Sequence, residues 1–278
     1  MSLRGTVERG VWRQPDPPAG DACAPDLEFM PTVEASPHHL RLIRKLETIA
    51  TLGEEEQRAI CALPLILKDV VENNDIVSHG DTPQDCSLVL EGFVARYQLL
   101  ESGSRQFFSI HLPGDIPDLQ TLHLKIMDHS VIALTAARIA LISHVALLEL
   151  GRQYPVIAMA FSRDILIDAA VFRTWLANVG RKPARQRVAH LICEVYVRAR
   201  TLGLAGDGGL DLPITQAELG DCLGLTSVHV NRTLQELRRD GLIASEGRRI
   251  RIRDWQGLKL AGEFDPTYLH LVRPWPGV

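Results

Sequence analysis

Residues 215–243 read Thr215-Gln-Ala-Glu-Leu-Gly-Asp-Cys-Leu-Gly-Leu-Thr-Ser-Val-His-Val-Asn-Arg-Thr-Leu-Gln-Glu-Leu-Arg-Arg-Asp-Gly-Leu-Ile243, and they decide the fold of the C-terminal third of the chain. Thr215 followed three residues later by Glu218 is a capping box, so a helix starts there. Leu219, Cys222 and Leu223 then fall on one face at helical spacing. Gly224 can take the left-handed conformation that ends a helix, and Leu225 can tuck back against it. Thr226 caps a second helix, with Val230, Thr233, Leu234 and Leu237 as its buried stripe. That phase leaves Ser227, His229, Asn231 and Arg232 near the exposed front end. Gly241-Leu242-Ile243 breaks the helix, and residues 245–252 read as a small β-hairpin turning near Gly247.

Two short helices joined by a tight turn are a way of presenting one helix to the major groove of DNA. The alternative is a plain helical hairpin inside a core. Charge favours DNA: residues 227–254 hold seven arginines against four acidic residues, +3 in a chain of formal net charge −4. The footprint of a nucleic-acid binder only has to be local. Ser227, His229 and Arg232 are the expected base readers. Asn231, Gln216 and the cap Thr226 lie nearer the backbone, and Arg248 and Arg249 of the hairpin suit phosphates.

The rest of the chain divides by texture. Residues 1–36 are proline-rich and aperiodic, the composition of a disordered tail, and Met30 offers an alternative start. The first residues carry no secretory signal. Apolar residues at helical spacing follow over 39–63. Short β-rich runs punctuated by Gly80, Gly92, Gly103 and Gly114 extend from 65 to about 148, the pattern of a small barrel or roll. The most membrane-like run, 131–150, is interrupted by Arg138 and His144 and suits two buried strands better. Residues 155–179 lack internal Gly and Pro, with Ile157, Phe161, Ile165, Ala169, Phe172, Leu176 and Val179 as an apolar stripe. Gly180-Arg181-Lys182-Pro183 is the expected hinge. Residues 184–199 form another helix with Leu191, Ile192 and Val195 inward, and 203–209 a loop. Residues 255–278 carry little signal and are expected to be a tail.

The motif Glu218-Leu-Gly-x-x-Leu-Gly-Leu-Thr, then Val230-x-Arg232-x-Leu234-x-x-Leu237, then Gly241-Leu-Ile, resembles the winged helix of the Crp/Fnr family of bacterial transcription regulators. The resemblance spans about residues 40–255. It implies an α+β chain: a cyclic-nucleotide-binding-like β-roll over 37–154, a long dimerisation helix and hinge over 155–182, and a winged helix-turn-helix over 183–254. It further implies a cytoplasmic homodimer whose partners are double-stranded DNA and RNA polymerase, with no membrane.

The cyclic-nucleotide contacts of that family do not carry over. A Gly-Asp turn leads there to a glutamate for the ribose hydroxyl, then to an arginine and Ser/Thr for the phosphate. Gly114-Asp115 keeps the turn, but the glutamate position falls on Leu119 and the arginine position on His129, followed by Ser130. Leucine cannot accept a hydrogen bond, and neutral histidine replaces a guanidinium poorly. These five residues mark an effector pocket, yet cAMP is not expected through the usual contacts, and an effector of other chemistry stays open. An iron–sulfur cluster needs clustered thiolates, whereas Cys23, Cys61, Cys86, Cys193 and Cys222 are scattered. No cofactor, metal ligand set or catalytic motif is expected. A competing view makes the roll a small-molecule-binding module whose helix-turn-helix mediates protein contacts.

Overall fold

The computed structural model describes residues 36–206, 209–246 and 249–272; the expected tail over 1–35 lies outside them. Helix α1 (Pro37–Glu47) buries Leu42, Ile43 and Leu46, one stripe at a spacing of three to four. Helix α2 (Glu54–Cys61) opens on three glutamates, which suit the positive end of the helix dipole.

Seven strands follow: β1 (Ile66–Val70), β2 (Asp75–Val77), β3 (Asp85–Glu91), β4 (Val94–Leu99), β5 (Arg105–His111), β6 (Ser130–Ala133) and β7 (Ala137–Ser143). They form two antiparallel sheets, β1-β7-β3 and β2-β6-β4-β5. The apolar run over 131–150 thus resolves into the strands β6 and β7 and then helix α3 (His144–Gln153). The switch comes where β-branched residues give way to leucines and glutamate, and the Ser143 hydroxyl caps α3 by accepting from the Ala146 amide at 3.2 Å.

Helix α4 (Pro155–Arg181) is long, as its pattern predicts, but its apolar stripe divides. Ile157 and Phe161 are buried within the chain, whereas Ala169, Phe172 and Leu176 are exposed. Steps of four overshoot the 3.6-residue turn, so a stripe spaced 157-161-165-169 spirals round the helix. The outward seam is Met159, Leu166, Ala169 and Leu176, nearer a seven-residue period. The expected hinge also narrows. Gly180 and Arg181 remain helical, and the chain turns extended at Lys182 and Pro183.

Helix α5 (Ala184–Thr201) buries Leu191, Ile192 and Val195 as expected, but every residue from Val188 to Val197 is buried. It is the axle of the molecule. One continuous apolar core runs from Ala95, Phe107, Ile110 and Leu112 of the roll through Val171 and Trp175 of α4 and across α5. It ends at Leu219, Val230 and Leu237 of the C-terminal region. That region contains β8 (Gly209–Asp211), α6 (Gln216–Leu223), α7 (Ser227–Arg239), β9 (Ile243–Glu246) and β10 (Arg249–Ile252), with the sheet ordered β8-β10-β9. The expected hairpin is therefore β9–β10, widened by β8.

Residues 255–272 are not a tail. Helix α8 (Trp255–Gly262) lies against α5 and the 3₁₀ turn Pro266–Leu269 against α4, burying Leu258, Phe264 and Leu269. His190 of α5 sits edge-on to Phe264 and stacked on Tyr268. The Tyr268 hydroxyl donates to Glu194 at 2.6 Å. The Val272 amide donates to Thr48 O at 2.9 Å, returning the chain to its N-terminal half. An eight-residue helix containing glycines leaves too short a pattern to read, and its partners on α5 lie more than fifty residues earlier.

Candidate DNA-binding interface

The helix-turn-helix is built by local chemistry. Thr215 Oγ1 accepts from the Glu218 amide at 3.2 Å, and Glu218 Oε2 accepts from the Thr215 amide at 2.7 Å, closing the capping box. Gly224 ends α6 at φ 63°, and the Leu225 amide donates to Gly220 O at 3.0 Å. Arg187 donates to Leu223 O at 2.8 Å and to Lys182 O at 2.6 Å, so one side chain ties the end of α6 to the break after α4. Thr226 accepts from the His229 amide and starts α7. Val230, Thr233, Leu234 and Leu237 are buried, which fixes the phase of α7.

Gly220 matters for a different reason. A Cβ there would overlap the Leu225 carbonyl oxygen, so the turn folds back onto α6 at a distance only glycine permits. Gly220→Ala is expected to lower stability by about 1–3 kcal/mol through forced backbone displacement. Its apparent affinity for DNA should fall with it. Thermal melting alongside a binding titration checks this, and an unchanged melting temperature would refute the close-approach argument.

Of the residues expected to face nucleic acid, Gln216 stands exposed at the first turn of α6. Thr226 and Ser227 are exposed at the front of α7, and Arg232 follows with 67% of its side chain exposed. His229 and Asn231 are half-buried. Arg249 is exposed on β10, where Arg249 and Arg251 alternate outward with Ile250 and Ile252 inward. Arg248 lies outside the described residues. Beside them Val228, on the face of Arg232 at i, i+4, is 77% exposed, an orientation that residue type alone does not signal.

The five residues expected to mark an effector pocket do not gather. Asp115 and Leu119 line a cavity of about 60 Å³ between the roll, α1, α4 and α5. Gly114 packs on the backbone of α1 at Arg41. His129 and Ser130 are not among the residues lining that cavity. His129 pairs with Asp128 and meets Phe108 edge-on, and Ser130 accepts from the His79 amide at 2.9 Å. Side chains that line this cavity also bridge the roll and α4 directly. Arg96 of β4 donates to Asp168 of α4, to Pro117 O at 2.5 Å and to Gln120 at 3.3 Å. Phe108 packs edge-on against Phe172 of α4.

Asp115 instead anchors an ionic cluster. Lys45 of α1 lies 2.7 Å from it, Arg198 of α5 2.8 Å and His111 3.8 Å. Burial opposes the charge on Asp115, but Lys45 and Arg198 outweigh it and hold the carboxyl far below the usual range. Lys45 also reaches Asp164 of α4 at 3.1 Å. Burial, and then the Arg96 charge, depress His111 to about 3, so it is neutral at pH 7. A second bridge links β5 to α6: Gln106 donates to Asp221 O at 2.8 Å and Cys222 O at 3.3 Å, beside the ion pair Arg105–Asp221 at 3.3 Å. Cys222 is fully buried and its thiol is pushed well up by burial, the inert state its inward phase predicts. Among the described residues, no three His, Cys, Asp or Glu side chains are grouped to hold a metal, and no helix is long and apolar enough to cross a membrane.

Known proteins agree with this anatomy. The Crp-like helix-turn-helix domain matches residues 186–261, and the cyclic nucleotide-binding domain matches residues 67–154. The chain is 31% identical over 180 residues to the transcriptional activator protein FnrL of Cereibacter sphaeroides, covering 63% of this chain and 71% of that protein. It is 28% identical to the nitrogen fixation regulation protein FixK of Rhizobium meliloti, covering 65% and 79% respectively. The structure of FixK2 from Bradyrhizobium japonicum superposes with a TM-score of 0.65 at 26% identity, over 72% of this chain and 98% of that one. Roll, long helix and capped helix-turn-helix thus occur here in one order and with one sequence relationship: the chain belongs to the Crp/Fnr family of transcription regulators.

Proposed function

We propose that this regulator works as a homodimer in the cytoplasm, reading a palindromic DNA site with α7 and acting on RNA polymerase. The observation that carries the reading is the front of α7, where Ser227 and Arg232 are exposed on a frame capped at both helices. Two copies paired along Met159, Leu166, Ala169 and Leu176 of α4 present two such helices, suited to half-sites about one helical turn apart. Ser227, His229 and Arg232 address base edges, Gln216, Thr226 and Asn231 the backbone, and Arg248 and Arg249 phosphates. The names of relatives such as the activator FnrL support an output through polymerase.

The sensor half works without the usual cyclic-nucleotide contacts. Arg96 and its partners Asp168, Pro117 and Gln120 support this, as do Leu119 and His129 at the two positions where the chemistry needs a glutamate and an arginine.

A mobility shift on the protein's own upstream DNA tests the proposal. Binding should be specific and should weaken steeply with salt. Arg232→Ala is expected to cost about 1–3 kcal/mol and to relax preference at one base pair of each half-site. A uniform loss of affinity with unchanged site preference would reassign Arg232 to the backbone. Absence of binding on every promoter fragment would sink the proposal itself.

A further inference from the structure

The second residue of α7 is an isopropyl group held out into solvent. Val228 is 77% exposed, the one large apolar side chain on α6 or α7 that is exposed, while its neighbours Val230, Leu234 and Leu237 are buried. The phase that exposes it is fixed by that buried stripe and by the Thr226 cap, so it is no accident of a loose loop. Arg232 stands one turn further along the same face. Burial and a capped frame therefore place an apolar group and a guanidinium side by side at the end of a helix that enters the major groove front first.

We propose that Val228 is a specificity-determining residue that packs on the C5-methyl group of a thymine in each half-site. The inference rests on the DNA-reading role proposed above and names part of the sequence read. A valine side chain has no donor or acceptor for the polar edges of guanine, cytosine or adenine. The thymine methyl is the one apolar feature that an unmodified base pair presents in the major groove, and it distinguishes A·T from T·A. Covering it removes two apolar surfaces from water at once, which is where the discrimination originates. Ser227 and Arg232, the flanking polar groups, then read adjacent positions by hydrogen bonds.

The test begins with selection of a binding site from a random duplex pool by the full-length protein. Each thymine of the recovered half-site is then replaced by deoxyuridine, which deletes only the methyl group. At one position per half-site the substitution should weaken binding about fourfold, the worth of one buried methyl. Val228→Ala, a surface change that leaves the core intact, should bind the thymine and deoxyuridine sites alike. 5-Methylcytosine at that position should restore part of the lost affinity. Recovery of a consensus in which no deoxyuridine substitution matters overturns the assignment, as does a Val228→Ala protein that keeps the full discrimination. Recovery of no consensus overturns the DNA-reading role instead, so the two failures are distinct.

Discussion

Truncation after Asp254 is expected to abolish cooperative folding of the DNA-binding half. The deletion removes α8 and the 3₁₀ turn, and with them Leu258, Phe264 and Leu269, all buried against the rest of the chain. Burial of such a side chain contributes about 1.5–3 kcal/mol. Three of them amount to roughly 5–9 kcal/mol, set against a total stability of about 5–15 kcal/mol for a typical domain. The cut also removes the Tyr268 hydroxyl from Glu194 and both aromatic rings from His190, leaving a fully buried carboxylate short of a donor. Circular dichroism melting and limited proteolysis of residues 1–254 measure the effect. A truncated protein that melts cooperatively within a few degrees of the full chain would show these contacts to be dispensable.

Arg198→Met is the second large effect. Arg198 belongs to α5, yet it donates to Ile110 O at 2.9 Å and to Asp115 at 2.8 Å, both in the roll. The side chains of Arg198 and Asp115 are 14% and 4% exposed, so the pair is largely out of water. Removing one partner of such a pair costs about 3–5 kcal/mol, because the remaining charge is left buried. Lys45 still faces Asp115 at 2.7 Å, which places the expected loss near the lower end, about 3 kcal/mol. Methionine keeps most of the stem's volume, so the measured loss reports charge and hydrogen bonds more than packing. Denaturant unfolding gives the magnitude. Hydrogen exchange should locate the loosening at β5 and α6, where Gln106 and Arg105 make a second polar bridge between roll and helix-turn-helix. A loss under about 0.5 kcal/mol, the range of an ordinary surface change, would contradict a structural role for the pair.

Legibility in the sequence followed the range of the interactions. The capping box Thr215–Glu218, the left-handed Gly224, the Thr226 cap and the stripe Val230 to Leu237 are all set within a few residues, and the structure has each of them. The residue types at the cyclic-nucleotide positions are equally local, since Leu119 and His129 follow Gly114 by fixed counts along the chain. The α4 stripe was legible as apolar but not as to direction, since spacing by four hides the drift that turns Phe161 inward and Leu176 outward. The exposure of Val228 is not legible in the sequence, because an apolar residue near a helix start is as often buried as exposed until the phase of the helix is fixed by packing.

What the sequence determined by itself is therefore the set of pieces: a roll, a long helix, and a helix-turn-helix with a basic front. Hydrogen-bonded caps, turn residues and the 3.6-residue period act over single turns, so they are written in consecutive letters. Tertiary structure alone decided how the pieces join. Arg96 meets Asp168 seventy-two residues away, Arg198 meets Asp115 eighty-three residues away, and α5 is buried on all sides because α8, α7 and the roll close on it together. Such contacts depend on chain reversals that bring distant charges and apolar faces into one low-dielectric space, and no local periodicity encodes where a reversal will end.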